Sequence, residues 1–189
     1  MTQIEFRGYS GDCVIHGDLA VPDDSRLTDF LNSIDTYAVA NMSLYALDDG
    51  RRVPAGEQQL STDDLWAVEP TDSSARADLH VPTRQVAVVI DVSPYQVTGF
   101  LHGVNTGDPM AVVNRRRRMI PVTEAEIRFN YSGREIRREA PVLIINRDHA
   151  KSIRRVAYQR TKIDDVPLAP TDPYARDLTG EITFDRDRP

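Results

Sequence analysis

VIHGDLAVPDDSRLTDFLNSIDTYAVANMSLYAL, residues 14–47, carries a succession of strand, helix and hairpin signals that returns later in the chain. The second occurrence is QVTGFLHGVNTGDPMAVVNRRRRMIPVTEAEIRF, residues 96–129, and the two stretches align without gaps. Three identical pairs coincide in this alignment, namely Gly17 with Gly99, Leu19 with Leu101 and Asn32 with Asn114. Identities are few, so the shared order of signals is what indicates an internal repeat.

Strand signals surround the start of each occurrence. In CVIHGDLAV, Ile15, Gly17 and Leu19 alternate with His16 and Asp18, as a half-buried strand requires. QVTGFLHGV occupies the matching place in the second occurrence. A further strand precedes each of them, IEFRGYS or QVAVVIDV, and turn clusters containing glycine or proline separate the two strands.

A short helix is predicted next in both occurrences. Ser25 can cap RLTDFLNSI, whose apolar residues recur at helical spacing. In the second occurrence Asp108 can serve as the cap, and Pro109 suits the first helical position. We expect each helix to have about two turns.

A long strand and a hairpin follow the helix. In TEAEIRF, Ala125, Ile127 and Phe129 are expected to point to one face and the charged residues between them to the other. The turns DDG at residues 48–50 and SG at residues 132–133 predict the hairpins. LWAV or PVLIIN then closes each unit, and the segment NRD that follows PVLII is expected to cap a turn between closing strands.

The repeat predicts a mostly β protein made of two tandem β-β-α-β-β units. Strands this short with one small helix cannot bury both faces of a flat sheet, so each unit should form a bent sheet or small barrel. The predicted boundaries are an acidic unit at 1–69, a linker at 70–83, a basic unit at 84–160 and an extended or disordered tail at 161–189. The linker is polar and the tail lacks apolar periodicity.

RLTDFLN (Arg26–Asn32) and INRDHA (Ile145–Ala150) resemble the two motifs of a group of short bacterial domains of unknown function. Those domains typically combine an "RLSDxLN" helix with a closing strand like "VNKxHI", and here the two motifs fall in different units. The strand order also resembles that of Sm-like and SH3-like small barrels, which usually carry their helix elsewhere. The resemblance covers most of residues 1–160 and implies a fold but no activity.

No motif for catalysis, metal binding or cofactor binding occurs in the sequence, so we expect a protein that is not an enzyme and has no cofactor. The histidines His16, His80, His102 and His149 are not spaced like metal ligands. A GxSxG nucleophile elbow and a glycine-rich phosphate loop are both absent. Asp148 and His149 are neighbours and would point to opposite faces of a strand, which argues against a catalytic pair.

Cys13 is the only cysteine, which excludes an intrachain disulfide, and its apolar surroundings favour a buried side chain over a reactive thiol. Trp66 and Tyr45 are interpreted as core or interface aromatics. No apolar run approaches the roughly 20 residues that span a bilayer. The first residues lack the pattern of a signal peptide, so the sequence predicts a cytoplasmic protein without membrane contact.

Charge is unevenly distributed along the chain, whose formal net charge is −6. Residues 1–84 contain 6 basic and 15 acidic residues, a net charge of −9. Residues 95–162 contain 14 basic and 6 acidic residues, a net charge of +8, and residues 163–189 have a net charge of −4. The basic middle is expected to contact either the acidic parts of the protein itself or an anionic partner.

VVNRRRRMIPV, residues 112–122, concentrates this positive charge. The aligned residues of the first unit, SIDT, are nearly neutral, so the fold does not require arginine at these positions. Arginine suits planar, two-pronged contact with carboxylate or phosphate, and we expect the four consecutive arginines to be mostly exposed. The candidate anion-binding residues are Arg115, Arg116, Arg117 and Arg118 of this run, and Arg134, Arg137 and Arg138 of the following hairpin.

Three functions are considered. The favoured hypothesis is a non-enzymatic interaction or assembly module whose arginines contact an acidic protein surface, in a protein partner or by self-association. The alternative is binding of nucleic acid or of a cyclic dinucleotide, since Sm-like barrels bind RNA and PilZ-type domains combine an arginine run with a "(D/N)xSxxG" strand. Here NYSG at residues 130–133 departs from that pattern, and the acidic protein has few aromatics for base stacking. The third hypothesis is an enzyme.

Overall fold

The computed structural model describes residues 1–71, 84–103, 109–110, 113 and 117–156 of the chain. These residues contain ten β-strands, one α-helix and two 3₁₀ turns, which confirms the prediction of a mostly β protein. The strands are β1 (Thr2–Tyr9), β2 (Cys13–Val21), β3 (Thr36–Ala46), β4 (Arg52–Ser61), β5 (Ala67–Pro70), β6 (Arg84–Val92), β7 (Tyr95–Gly103), β8 (Met119–Tyr131), β9 (Arg134–Asn146) and β10 (Ser152–Arg155). The helix is α1 (Leu27–Leu31), and the 3₁₀ turns are Thr62–Asp64 and Arg147–His149.

All ten strands belong to one antiparallel sheet in the order β10-β6-β7-β8-β9-β5-β1-β2-β3-β4. The order of the first five strands, β5-β1-β2-β3-β4, is also the order of the second five, β10-β6-β7-β8-β9. We call these the first and the second strand set. Pairing of β5 with β9, through Ala67 with Ile145 and Val68 with Ile144, joins the sets.

In both strand sets the pairing is irregular at a glycine of the second strand, and irregularities of this kind bend a sheet. The register between β2 and β3 shifts at Gly17, and the register between β7 and β8 shifts at Gly99. A Cβ atom at Gly17 would lie 2.5 Å from Val39 Cγ1, and one at Gly99 would lie 2.6 Å from Val122 Cγ1. Both distances are shorter than any van der Waals contact, so each bend brings the strands too close for a side chain.

The hydrophobic core is shared by the two strand sets. Met119 of β8 and Ile144 of β9 pack in one buried cluster with Phe6 of β1, Leu31 of α1 and Val68 of β5. The alternation predicted for TEAEIRF is confirmed, because its three apolar residues are buried while the charged residues between them are half-buried. Burial of apolar area on this scale is the main stabilising contribution to such a fold.

Turn predictions from the sequence are also confirmed. The hairpin of β3 with β4 encloses the DDG turn, and the hairpin of β8 with β9 turns at Ser132 and Gly133. After β9 the side chain of Asn146 accepts a hydrogen bond from the backbone N–H of Asp148, so it caps the 3₁₀ turn that leads into β10.

The prediction that Ser25 caps the first helix is wrong. Arg26 occupies the cap position of α1 and makes no side-chain cap hydrogen bond. Ser25 instead belongs to the preceding turn, in which its backbone N–H donates to the carbonyl of Pro22 at 3.0 Å. Of the second helix predicted to start near Asp108, most residues lie outside the described ones.

Each strand set contains five strands, whereas the sequence predicted four. In the first set the predicted closing strand LWAV overlaps β5, and the additional strand is β4, whose mostly exposed residues show no apolar alternation. In the second set PVLIIN is the end of β9, and the additional strand is β10, which has only four residues. The interpretation as two tandem units stays a prediction. Most of the predicted linker at 70–83 and the whole predicted tail at 161–189 lie outside the described residues.

Candidate functional site

The end of the arginine run lies directly before β8 and faces carboxylates of the first strand set. Nη1 of Arg117 lies 2.6 Å from Oδ1 of Asp29, which belongs to α1, and the two side chains are 62% and 47% exposed. An ion pair this exposed contributes little by itself to stability. The pair nevertheless connects the segment directly before β8 with helix α1. Arg115 and Arg116 lie outside the described residues.

Arg118 is surrounded by three carboxylates. Its Nε donates to Asp148 at 2.7 Å, its Nη2 donates to Asp63, and its Nη1 lies 3.7 Å from Asp35. The Arg118 side chain is 35% exposed, so it is less open to solvent than we expected for the arginine run. The hydrogen bonds with Asp148 and Asp63 raise the pKa of Arg118 above its ordinary value. Arg118 therefore stays charged and holds the carboxylates together.

Two of the carboxylates on Arg118 come from corresponding places in the two strand sets. Asp63 lies in the 3₁₀ turn that precedes β5, and Asp148 lies in the 3₁₀ turn that precedes β10. One guanidinium thus bridges the two turns. Three carboxylates this close together would repel one another without a cation between them.

A second arginine of the candidate set, Arg138 of β9, makes a two-pronged contact with Glu69 of β5. Nε of Arg138 donates to Glu69 Oε2 at 2.8 Å, and Nη2 donates to Oε1 at 3.0 Å. Glu69 also accepts from Nη1 of Arg7 at 3.3 Å and from the hydroxyl of Tyr9 at 3.0 Å. These four side chains form a network that we call the Glu69 cluster.

The Glu69 cluster is deeply buried. The side chains of Arg7 and Glu69 are 1% and 5% exposed, and that of Arg138 is 21% exposed. Burial, followed by the nearby charge of Glu69, raises the pKa of Tyr9 well above its ordinary value, so the phenol stays neutral and donates. Sequence reasoning had not singled out Glu69 or Arg7. Glu69 is the one charged residue of the short, buried β5, but Arg7 shares its face of β1 with the exposed Gln3 and Glu5, so alternation did not mark it.

Arg134 and Arg137 occupy a different environment from Arg138. Both are exposed at the tip of the β8–β9 hairpin, where Nε of Arg137 lies 3.4 Å from Oε1 of Glu135. The seven predicted anion-binding arginines are therefore not gathered at one place. Arg117, Arg118 and Arg138 contact carboxylates of the first strand set, and Arg134 and Arg137 face solvent at the hairpin tip.

Neutral side chains also connect the strand sets. The amide of Asn32, at the end of α1, donates to the carbonyl of Met119 at 2.9 Å and accepts from its N–H at 3.0 Å. Asn32 thereby takes the place of a strand partner for the first residue of β8. The repeat alignment had drawn attention to this asparagine, but only as an identical match between the units and not as a contact.

Asn146 makes a similar connection from the second strand set. Its amide donates to the carbonyls of Thr62 and Leu65 at 3.1 and 3.0 Å. Close by, the ring of Trp66 stacks on that of His149 with a centroid distance of 4.9 Å. Trp66 is therefore an interface aromatic, as the sequence indicated.

A shallow groove of about 550 Å³ lies beside the turn between β6 and β7. Its polar side chains include Ser93, whose hydroxyl donates to Asp91 at 2.9 Å, and Arg128. Hydrogen bonds from the Ser93 hydroxyl and backbone lower the pKa of Asp91, so this carboxylate is a poor base. The pair does not activate the serine as a nucleophile, because an accepting group of higher pKa is needed for that.

Within the described residues no group of three His, Cys, Asp or Glu side chains is placed to hold a metal ion. The same part of the chain contains no helix that is both long and apolar enough to span a membrane. Comparison of the chain with protein-family models, with curated proteins and with solved structures gives no match.

Proposed function

We propose that this chain is a non-enzymatic protein-interaction module built of two tandem units, and that its arginine-rich second unit serves to contact an acidic protein surface. One observation carries the proposal. Arg118, from the basic part of the chain, lies against Asp35 and Asp63 of the acidic part. The acidic surface that the arginines recognise is, in the first instance, that of the neighbouring unit.

Support for tandem units comes from features that coincide at matching places. Both strand sets have the same strand order, a register shift at Gly17 or Gly99, and a 3₁₀ turn before the fifth strand. A positive φ value recurs in the third strand of each set counted along the chain, at Asn41 of β3 and Glu124 of β8. Each directly follows the residue that pairs beyond the register shift, Ala40 with Asp18 and Thr123 with Phe100. Chance would not place so many backbone irregularities at matching positions, so duplication of one unit is the simplest explanation.

The chemistry of the contacts favours a protein surface over a phosphate. Arg138 uses its planar guanidinium in a two-pronged contact with Glu69, the arrangement for which arginine is better suited than lysine. Arg118 is already enclosed by Asp148, Asp63 and Asp35. A phosphate arriving at Arg118 would meet these carboxylates and be repelled by them.

The proposal is tested by comparing two double variants of the full-length chain. Arg117→Ser with Arg118→Ser removes contacts with the acidic unit, and Arg134→Ser with Arg137→Ser is the matched control at the hairpin tip. Each exposed ion pair contributes about 0.2–1 kcal/mol, so the first variant should lose roughly 1–2 kcal/mol of unfolding free energy and the control almost none. The loss should shrink at high salt, because salt screens exposed charges.

The same proteins are titrated with single-stranded RNA, duplex DNA and a cyclic dinucleotide at low and high salt. We expect no binding by the wild type or by either variant. The purified wild type should carry no nucleic acid, as judged by its ultraviolet absorbance spectrum and by its native mass. Salt-sensitive binding of any of these ligands that the first double variant loses would overturn the proposal in favour of an anion-binding protein.

A further inference from the structure

We propose that copies of this chain associate head to tail, with strand β4 of one copy pairing with strand β10 of the next. The inference rests on the proposed tandem units and names the partner of the module as a second copy of the chain.

Both ends of the sheet present a strand edge. In the described part of the chain β4 pairs only with β3, and β10 pairs only with β6. Every residue of β4 except Leu60 is exposed or half-exposed, as is every residue of β10, whereas β5 is buried along its whole length. The unpaired N–H and C=O groups of such an edge form a template for another strand.

The contact that joins the strand sets shows what fits these edges. It pairs β9, the fourth strand of the second set, with β5, the fifth strand of the first set. The corresponding strands are β4, the fourth of the first set, and β10, the fifth of the second set. The strands at the two ends of the sheet therefore correspond to β9 and β5, which already pair with each other inside the chain.

The ends of the strands show which residues correspond. β10 begins at Ser152 as β5 begins at Ala67, and both strands have four residues. β4 ends at Ser61 as β9 ends at Asn146, and a 3₁₀ turn follows each of them directly. The two fourth strands are therefore aligned at their last residues and the two fifth strands at their first.

The internal pairing then fixes the register of the proposed contact. Pairing of Ala67 with Ile145 corresponds to Ser152 opposite Leu60, and the next internal pair corresponds to Ile153 opposite Gln59. Continued antiparallel pairing places Arg154 opposite Gln58 and Arg155 opposite Glu57.

The charges at the two edges are complementary in this register. β10 and the residue before it carry Lys151, Arg154 and Arg155. The C-terminal half of β4, away from Arg52, carries Glu57, and the last residue of the following 3₁₀ turn is Asp64. All of these side chains are exposed.

The internal contact also has a counterpart just outside the paired residues. In the internal contact Trp66, directly before β5, stacks on His149, which is the last residue of the 3₁₀ turn after β9. The corresponding residues at the proposed contact are Lys151, directly before β10, and Asp64, the last residue of the other turn. An aromatic pair is thus replaced by a pair of opposite charges.

Such an association should be reversible and salt-sensitive. The internal β5–β9 pairing is supported by a buried apolar core, whereas the edges of β4 and β10 are polar and include Pro54. Polar residues and proline weaken edge pairing without abolishing it. Because the two edges differ, the contact is heterologous and generates rings or filaments rather than a two-fold dimer.

Cysteine cross-linking tests both the pairing and its direction. In a Cys13→Ala background, Gln59→Cys and Ile153→Cys are made in separate full-length proteins, which are mixed at low salt and oxidised with copper phenanthroline. Directly opposite residues of paired strands are close enough for a disulfide. We expect a cross-linked dimer that contains one copy of each variant, while either variant alone stays monomeric. A single chain with both cysteines should give a ladder or a closed ring.

Gln3→Cys, an exposed position on β1, which lies inside the sheet rather than at either end, is the matched control and should not cross-link to Ile153→Cys. In the otherwise unmodified chain, sedimentation at low salt should show concentration-dependent association that Lys151→Glu weakens at least severalfold. Equal cross-linking of Gln3→Cys, disulfide dimers of Gln59→Cys alone, or a wild type that stays monomeric at low salt would each overturn head-to-tail pairing. If the arginine double variants behave as expected in such a case, head-to-tail pairing is rejected but the proposed function is not.

Discussion

Arg138 and Glu69 face each other across the only strand pairing that joins the two strand sets among the described residues. Two nitrogens of the Arg138 guanidinium lie 2.8 and 3.0 Å from the two carboxylate oxygens of Glu69. Arg7 and Tyr9 complete the surroundings of the carboxylate from the opposite strand. Placing charges at the centre of a sheet costs desolvation energy, so we expect this contact to specify which strands pair more than it adds net stability.

The Glu69 cluster predicts a large effect of a small change. Glu69→Gln keeps the shape of the side chain but leaves Arg7 and Arg138 without the negative charge that they surround. Breaking a buried ion pair by removing one partner costs about 3–5 kcal/mol, and we expect a loss of that size in urea unfolding. Glu135→Gln, which breaks the exposed pair with Arg137, should cost less than about 1 kcal/mol. Equal stability of the two variants would show that the charge of Glu69 is dispensable.

Asn32 predicts a second contribution to the contact between the strand sets. Asn32→Ala removes the amide that donates to and accepts from the buried backbone of Met119. Leaving buried backbone groups without a partner costs about 1–3 kcal/mol, so the variant should unfold at correspondingly lower urea concentration. Ser33→Ala removes an exposed hydrogen bond to Phe30 and is the control, with an expected loss below about 0.5 kcal/mol. A control as destabilised as Asn32→Ala would locate the effect in α1 itself.

Local signals in the sequence are sufficient for much of the sheet. Alternation in TEAEIRF gives the buried face of β8, and the DDG and SG turns give the two long hairpins. The strands β4 and β10 were not counted in the predicted β-β-α-β-β unit, although the DDG hairpin and the turn between closing strands imply them. β4 is mostly polar and exposed, and β10 is too short to have a measurable period. The sequence also assigned a helix cap to Ser25, which is a turn residue, since N-cap and turn positions favour the same residue types.

Contacts between distant residues were harder to predict than the strands. The charge asymmetry indicated that the basic part of the chain faces an acidic surface, and Arg118 does lie against Asp63. Nothing local distinguished Arg118 from the exposed Arg134, because their difference arises from strand pairing between residues far apart in the sequence. For the same reason Glu69, which directly follows the predicted strand LWAV, was not recognised as a buried residue before β9 was placed beside β5.

The bends at Gly17 and Gly99 predict that alanine lowers the free energy of unfolding at either position. Besides the valine contacts, a Cβ at Gly99 would lie 2.8 Å from the backbone oxygen of Thr123, while one at Gly17 would lie 3.1 Å from that of Ala40. A backbone atom yields less easily than a side chain, so Gly99→Ala should be the more damaging variant. Overpacking of this kind costs about 1–3 kcal/mol.

Gly56→Ala is the control for the glycine variants. Gly56 has φ +70°, but an added Cβ would meet no heavy atom within 4 Å beyond its chain neighbours. Its replacement therefore adds only backbone strain, about 1–2 kcal/mol. The free energy of unfolding is measured for all three variants in urea. Gly99→Ala should lose more than Gly56→Ala, and the reverse order would show that the strands relax around the added methyl group.

Buried phenols predict that stability falls at alkaline pH. Burial raises the pKa of Tyr9 and of Tyr95 well above the ordinary value near 10, so both stay protonated in the folded protein. Burial, reinforced by Asp12, also raises the pKa of the Cys13 thiol to about 11. Each group keeps its proton when folded and loses it when unfolded, so stability is full below the unfolded pKa and declines above it.

The decline is measured as unfolding free energy in urea between about pH 8 and 11, in a Cys13→Ala background that removes the contribution of the thiol. Above about pH 10 each buried phenol should lower stability by about 1.4 kcal/mol per pH unit. Tyr95→Phe should flatten this slope by one such contribution, although losing the 2.6 Å hydrogen bond to the Ser10 carbonyl lowers its stability at every pH. An unchanged slope in Tyr95→Phe would mean that the Tyr95 phenol ionises as readily in the folded chain as in the unfolded one.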